Sequence, residues 1–420
     1  MNIPFSPPYI DQSVIDQVLD TLNNKWITTG PKVRDFEQEI LTLTGCDAAI
    51  CVNSWTSGAM LMLKWFGVGP GDEVIVPAYT YCATALSVLH CGARPVMVDV
   101  MDDFNMDPEQ VRKAITSKTK AVIAVDFAGW PCNYNSLKAI IKSPSVTKKF
   151  VPNSENQSKL GRILLISDAA HSIGSRYDGQ QAAKKSDVTI FSFHAVKNIT
   201  TAEGGCICLN LPKQFIPQQE YSYLKMFTLN GQNKDALAKS KGGGWRYDVA
   251  FPGMKINMPD ICAAIGLAQI RKYWQTILPA RKTIAELYVQ GLKGQSWFIA
   301  PPLIDESRES CYHLFPVRVR GLTEEQRDKI IDDMALLGIA INVHFIPMPM
   351  LTVFKNLGYD IKNYPVAYRN YATEISLPIY PQLTAEEINF IITSLISVVN
   401  IQFISRDNAL QSEILTTVAV

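Results

Sequence analysis

Short runs rich in β-branched, aromatic or small apolar residues recur along the first two thirds of the chain. They constrain its fold more than any other feature. They fall at residues 48–52, 73–77, 95–100, 121–127, 163–168, 187–193 and 204–209. Between them lie stretches with helical spacing, such as Ile10, Val14, Val18 and Leu22, then residues 33–43, the segment through Trp65, and 107–116. Tyr79, Thr80 and Tyr81 read as the opening of a further helix. Strands that alternate with helices pair side by side through right-handed crossovers, so the expectation is an α/β fold with a mainly parallel, doubly wound sheet. From about residue 274 the pattern changes to a long helix, strands near 312–319 and 340–345, and helices at 323–337 and 384–399. This reads as a smaller α/β C-terminal domain, with a division into 1–273 and 274–420. A chain of 420 residues can bury two such cores.

Two polar stretches interrupt the alternation. Residues 143–159 have no periodicity and read as a surface loop. Residues 231–244 end in three glycines and read as an exposed loop or a flexible lid. The formal net charge is only +1 with Lys and Arg scattered, which argues against a nucleic-acid or anionic-membrane partner. The opening MNIPFSPPYID has no basic region followed by an apolar run, so no signal peptide is expected. The apolar run at 390–399 is too short to span a bilayer, and the expected compartment is the cytoplasm. Cysteines in apolar segments (Cys51, Cys82, Cys206, Cys208, Cys262) agree with a reducing setting. Cys206 and Cys208 share a strand face, but no second pair completes a metal site, and none is expected.

The chemistry concentrates where strands end. In DVTIFSFHAVKNITTAEGG the strand 187–193 runs into His194 and Lys197 before a Gly-Gly pair. Most lysines are solvated. The alternative is a partly desolvated amine that forms a Schiff base with a carbonyl cofactor, since only the neutral amine attacks. In ILLISDAAHSIGS the strand ends in Ser167-Asp168, followed by two alanines and His171. Asp168 is either a helix N-cap or the acid that pairs with the protonated ring nitrogen of pyridoxal phosphate. Both Asp168 and Lys197 are needed by that one cofactor. At Asn53-Ser54-Trp55-Thr56-Ser57-Gly58, hydroxyls and free N–H groups precede a helix, as in an N-cap or a phosphate seat.

Segments around these residues resemble the DegT/DnrJ/EryC1/StrS group of sugar aminotransferases, which are fold type I pyridoxal phosphate enzymes. They are WITTGPKV, NSWTSGAML, PAYTYCATA, SDAAHSIG, FSFHAVKNITTAEGG and GMKINMPDICAAIGLAQI, in family order across about residues 20–390. The resemblance implies Lys197 as the cofactor-bearing lysine and proton carrier, with Asp168 at the ring nitrogen. It further implies Thr56, Ser57 and Ser192 at the phosphate, Tyr81 stacked on the ring, and His171 beside the ring or its O3′. It places Lys255 across a dimer interface, against the neighbouring subunit's cofactor phosphate, and Trp26, Thr28 or Thr29 near the substrate. Two departures stand out. Trp55 occupies a position often small in relatives, and HFIPMPM puts Pro349 where relatives often carry a histidine, leaving His344 as that loop's candidate. The implied reaction moves an amino group from glutamate to a keto group, at C4 or alternatively C3, of a nucleotide-linked deoxy sugar for surface polysaccharide or glycan precursors. A silent nucleotide-sugar-binding homologue would dispense with Asp168 or Lys197, and a dehydrogenase would need a G-x-G-x-x-G that is absent here.

Overall fold

The computed structural model describes residues 1–239 and 245–418. Residues 240–244, the glycine-rich end of the candidate lid, lie outside the described residues.

The central sheet has seven strands. They are β1 (Ala48–Val52), β2 (Glu73–Pro77), β3 (Arg94–Val98), β4 (Thr119–Val125), β5 (Leu164–Asp168), β6 (Val188–Ser192) and β7 (Gly205–Leu209). The spatial order is β1-β7-β6-β5-β4-β2-β3, and only β7 runs against the others. β1, β2, β4, β5 and β7 are buried along their whole length, as expected for a sheet covered on both faces. Because six strands point the same way, their carboxyl ends line one edge, and the segments after them meet there. β7 turns back at that edge, and its first residue has no room for a side chain. A Cβ on Gly205 would lie 2.8 Å from backbone atoms of Phe191, Ser54 and Trp55.

The helices that matter for the site are α1 (Gln12–Asn23), α2 (Pro31–Thr44), α3 (Trp55–Trp65), α4 (Ala83–His90) and α5 (Asp260–Ile270). α3 starts at Trp55 itself, with Ser54 as its N-cap, so the large side chain leaves the helix start regular. α5 packs on α1 and α2. Asp260, at its first turn, also caps α2 across the chain: one carboxylate oxygen accepts from Gly30 and Val33 N–H at 2.7 and 3.0 Å, the other from Lys32 N–H at 3.1 Å. That capping ties WITTGPKV to GMKINMPD, segments far apart in sequence.

A second core gathers around the three-stranded sheet β8 (Phe298–Ile299), β9 (Phe315–Val319) and β10 (Glu374–Leu377). α6 (Leu278–Leu292), α7 (Glu324–Leu336) and α8 (Ala385–Val418) supply its apolar faces, and Ile3 from the chain start inserts into it. The ribbon Arg176–Tyr177 pairs with Arg308–Glu309 and links the two regions.

Several elements differ from their sequence reading. Residues 143–159 contain the short helices Pro144–Thr147 and Glu155–Leu160, started by a proline and by the Ser154 N-cap, and are not a plain loop. The helix expected to open at Tyr79 begins at Ala83. No strand forms at 340–345; a single bridge joins Asn342 to Ser376, and the His344 N–H donates to the Glu374 carboxylate in place of a main-chain carbonyl. The apolar run at 390–399 belongs to a longer helix, whose segment Ala385–Ile404 is long and apolar enough, by length and composition, to cross a membrane. Ile388, Ile391, Leu395 and Val399 of that segment are buried in the second core.

Candidate active site

The carboxyl edge of the central sheet opens into a cavity of about 510 Å³. Each parallel strand next to it contributes the residues that follow it: Ser54, Trp55 and Thr56 after β1, Thr80 and Tyr81 after β2, Asp168 and His171 from β5, and Ser192, His194 and Lys197 from β6. Val125 ends β4 in the wall, and His313, His344 and Phe345 close it from the second region.

Asp168 is 5% exposed. Its Oδ2 accepts from the Thr84 hydroxyl at 2.9 Å and its Oδ1 from the Ala170 N–H at 3.2 Å. Burial pushes this carboxyl up to about 7, with Thr84, Ala170 and Lys197 pulling the other way. Burial pushes the Lys197 amine down to about 8, and Asp168 opposes the shift. Neither group belongs to any ion pair of 4.0 Å or less among the described residues. A desolvated carboxyl outside any ion pair and a desolvated amine near neutrality therefore share one cavity. That pair fits pyridoxal phosphate, which brings a protonated ring nitrogen for the first and an aldehyde for the second.

The wall around them includes two buried, neutral imidazoles, His171 and His313. His171 accepts the Ala128 N–H on Nδ1 at 3.3 Å, and burial first, then Lys197 and His344, hold it well below the usual histidine range. His313 lies with its ring 4.4 Å from that of His171 and is likewise held neutral by burial and its neighbours. Its Nδ1 meets Asn198 Oδ1 at 2.9 Å. The Asn198 amide donates to the Cys311 carbonyl at 2.9 Å, so its oxygen must be the acceptor and His313 carries its proton on Nδ1.

The sequence candidates divide by position. Thr56, Tyr81, Asp168, His171, Ser192, Lys197 and His344 line this cavity. Ser57 sits one residue back in α3: its N–H donates to the Ser54 hydroxyl at 3.1 Å and its hydroxyl accepts from Ser54 at 2.9 Å. Tyr81 is 60% exposed, with its ring 5.8 Å from that of Phe345. Lys255 is not in the cavity of its own chain. It donates to Asn257 in a second cavity of about 150 Å³ shared with Thr28, Thr29, Lys234 and Lys239. Trp26 donates to the Thr29 carbonyl at 3.3 Å and lines neither space. Sequence reasoning missed Thr84, Phe345 and His313. Thr84 follows Tyr81 by three within PAYTYCATA and had a helical signal. His313 precedes a strand of the other region and had none.

Fold and site together define a fold type I, pyridoxal phosphate-dependent transaminase. The profile of the DegT/DnrJ/EryC1/StrS aminotransferase family matches residues 8–147 and 153–396. The Bacillus subtilis spore coat polysaccharide biosynthesis protein SpsC is 31% identical over 404 residues, 94% of this chain and 97% of that protein. A candidate sugar aminotransferase of Streptococcus pneumoniae, solved in its PMP form, superposes with TM-score 0.91 at 43% identity, covering 96% of this chain and all of that one. Helicobacter pylori PseC, an aminotransferase involved in the biosynthesis of pseudoaminic acid, superposes with TM-score 0.81 at 26% identity, over 95% and 99% of the two chains. The chain belongs to the DegT/DnrJ/EryC1/StrS aminotransferase family.

Proposed function

We propose that this transaminase moves an amino group from glutamate to the C4 keto group of a nucleotide-linked keto-deoxy sugar, for surface polysaccharide or glycan precursor synthesis. The observation that carries the reading is the single cavity in which an unpaired amine, Lys197, and an unpaired carboxyl, Asp168, face a wall of neutral imidazoles and aromatics. Such a wall offers single hydrogen bonds and flat apolar faces, which suit a sugar ring. The resemblance of WITTGPK and GMKINM to the subgroup that aminates C4 favours that carbon over C3. The names of SpsC and of the pneumococcal and H. pylori proteins support a sugar substrate.

Pyridoxal phosphate, when bound, supplies an electron sink for the carbanion at the donor's Cα. Lys197 would hold its aldehyde carbon, and its released amine then carries the proton taken from Cα. Asp168 would keep the ring nitrogen protonated, and the Thr84 hydroxyl and Ala170 N–H hold the Asp168 carboxyl in place for that. Thr56, Ser57 and Ser192 offer the phosphate hydroxyls and the N-terminus of α3. Tyr81 and His171, both in the cavity lining, would pack against the ring. Lys255, separate from this cavity, would reach the cofactor phosphate of a second copy in a homodimer, where a point charge with three donors suits a dianion.

The test is a screen of 4-keto and 3-keto nucleotide sugars against the glutamate-treated, PMP-loaded protein, with the new amine located by NMR. Amination at C4 supports the assignment. Amination only at C3, or only of keto acids, overturns it.

A further inference from the structure

Behind the cavity wall, β10 carries two side chains with no part in the roles above. Glu374 and Ser376 are both 0% exposed and, two apart on a strand, lie on the same face. A buried carboxyl is ordinarily paired with a cation. Glu374 has none within 4.0 Å among the described residues. Its Oε1 accepts from the Ser376 hydroxyl, and its Oε2 accepts from the main-chain N–H of His344 at 2.9 Å. The Ser376 oxygen lies 3.0 Å from Nδ1 of His344.

The ring of His344 is held in place on every side. Paired main-chain hydrogen bonds of 3.2 and 2.7 Å join Asn342 to Ser376, the Tyr79 hydroxyl donates to the His344 carbonyl at 2.6 Å, and Phe5 stacks on the imidazole at 5.3 Å. Its Nε2 has no hydrogen-bond partner among the described residues yet is not sealed from solvent, and the ring lines the main cavity. Nε2 is therefore open to that space.

One hydroxyl hydrogen on Ser376 allows two arrangements. With Glu374 ionised, Ser376 donates to it and accepts from Nδ1–H, so Nε2 presents a lone pair. With Glu374 protonated, the carboxyl donates to Ser376, Ser376 donates to Nδ1, and Nε2 presents a hydrogen. The imidazole is neutral in both, and one proton has travelled from the cavity to the carboxyl.

We propose that Glu374, Ser376 and His344 form a proton relay, in which Glu374 stores the proton that His344 delivers to the keto oxygen of the substrate and later recovers. It deepens the sugar transaminase reading and rests on it. The keto oxygen leaves as water after taking two protons, and the attacking amine nitrogen gives up two as it becomes an imine: each time Nε2 delivers one to the oxygen it recovers one from the nitrogen, so the relay ends as it began. His344 touches the reacting atoms; Glu374 and Ser376 act through it and are positioning residues.

The charges around the relay agree with this use. Burial pushes Glu374 up to about 8, with Ser376, the His344 N–H and Arg327 opposing. Burial, then Lys197, pushes His344 down to about 3, so it does not hold both protons near neutrality. The titratable groups that face the relay are Lys197, His171 and His313 across the cavity, and Tyr79 and Arg327 beside Glu374. Below pH 8 the carboxyl is protonated and Nε2–H is ready to donate; above it, Nε2 is a base.

The test is 15N NMR of histidine-labelled holoenzyme from pH 6 to 10, combined with turnover of a keto nucleotide sugar. In the unaltered protein, the His344 tautomer should convert with a midpoint near pH 8. Glu374→Gln, nearly the same shape, should hold one tautomer throughout, flatten that limb of the turnover profile and slow turnover at pH 7 about 10²-fold. Ser376→Ala should leave the carboxyl titrating, read by infrared, while the His344 tautomer no longer follows. This second variant also serves if Glu374→Gln fails to fold. An invariant His344 tautomer in the unaltered protein, in samples without any sugar, overturns the relay whatever the substrate. A turnover profile unchanged in both variants overturns its use in catalysis. A tautomer that titrates as described in a protein unreactive toward every keto sugar supports the relay and overturns the substrate reading instead.

Discussion

Replacing Asp168 with Asn should make the cofactor-free protein more stable at alkaline pH while disabling it as a catalyst. The carboxyl is 5% exposed, and its proton affinity is raised from the ordinary 3.8 to about 7. The folded protein therefore binds the proton more tightly than the unfolded chain does. No penalty exists below pH 4; it grows as pH rises and is complete once pH passes the folded value. At about 1.4 kcal/mol for each tenfold change in proton affinity, keeping Asp168 ionised at pH 8 costs about 4 kcal/mol, of which about 2–3 kcal/mol accrues above pH 5. Asn fits the same contacts, with its oxygen toward the Ala170 N–H and its NH₂ toward the Thr84 hydroxyl, which can rotate to accept. For 420 residues, the unfolding entropy makes 2–3 kcal/mol about 3 °C in Tm. Scanning fluorimetry of cofactor-free protein at pH 5 and pH 8 should show the gap between variant and parent widening by about that amount. Added pyridoxal phosphate should then reverse the order at pH 8, because only the parent gains an ion pair with the ring nitrogen. A gap that stays constant with pH, or a variant less stable than the parent at pH 8, would refute the burial argument.

Lys197→Ala should abolish the visible absorbance of the cofactor-loaded protein and lower turnover by at least about 10³-fold if, as proposed, this amine both holds the aldehyde carbon and carries the proton; retained colour after dialysis would contradict that role. Lys255→Ala should weaken cofactor retention about tenfold without loss of fold, seen by fluorescence titration, as one charge-assisted contact is removed. Asp260→Ala strips an acceptor from three N–H groups at the start of α2 and should destabilise the protein by about 2–4 kcal/mol in urea unfolding; a loss under 0.5 kcal/mol would show that water replaces the carboxylate. Gly205→Ala places a methyl 2.8 Å from three backbone atoms and should cost about 1–3 kcal/mol while reducing activity through displacement of Ser54 and Trp55, checked by comparing Tm with turnover.

Much of this protein is written in local sequence. The runs that became β1, β2 and β4 to β7 are legible because a strand buried on both faces must be apolar along its length, and Asp168 and Lys197 are legible because polar groups interrupt that pattern where strands end. Lys255 could be suspected from its motif, but only the folded chain separates it from Lys197 and groups it with Thr28, Thr29 and Lys239. The misread stretches have a common cause. Residues 143–159 form helices too short to show a period, and 340–345 looks like a strand yet finds only one bridged partner. His313 and the Glu374–Ser376 pair carried no signal at all, and Thr84 only that of a helix. A buried acid reads in sequence like a surface one, and a histidine before a strand reads like any other. What they do depends on which groups lie across a gap from them, and those distances exist only once the second core has closed over the edge of the first.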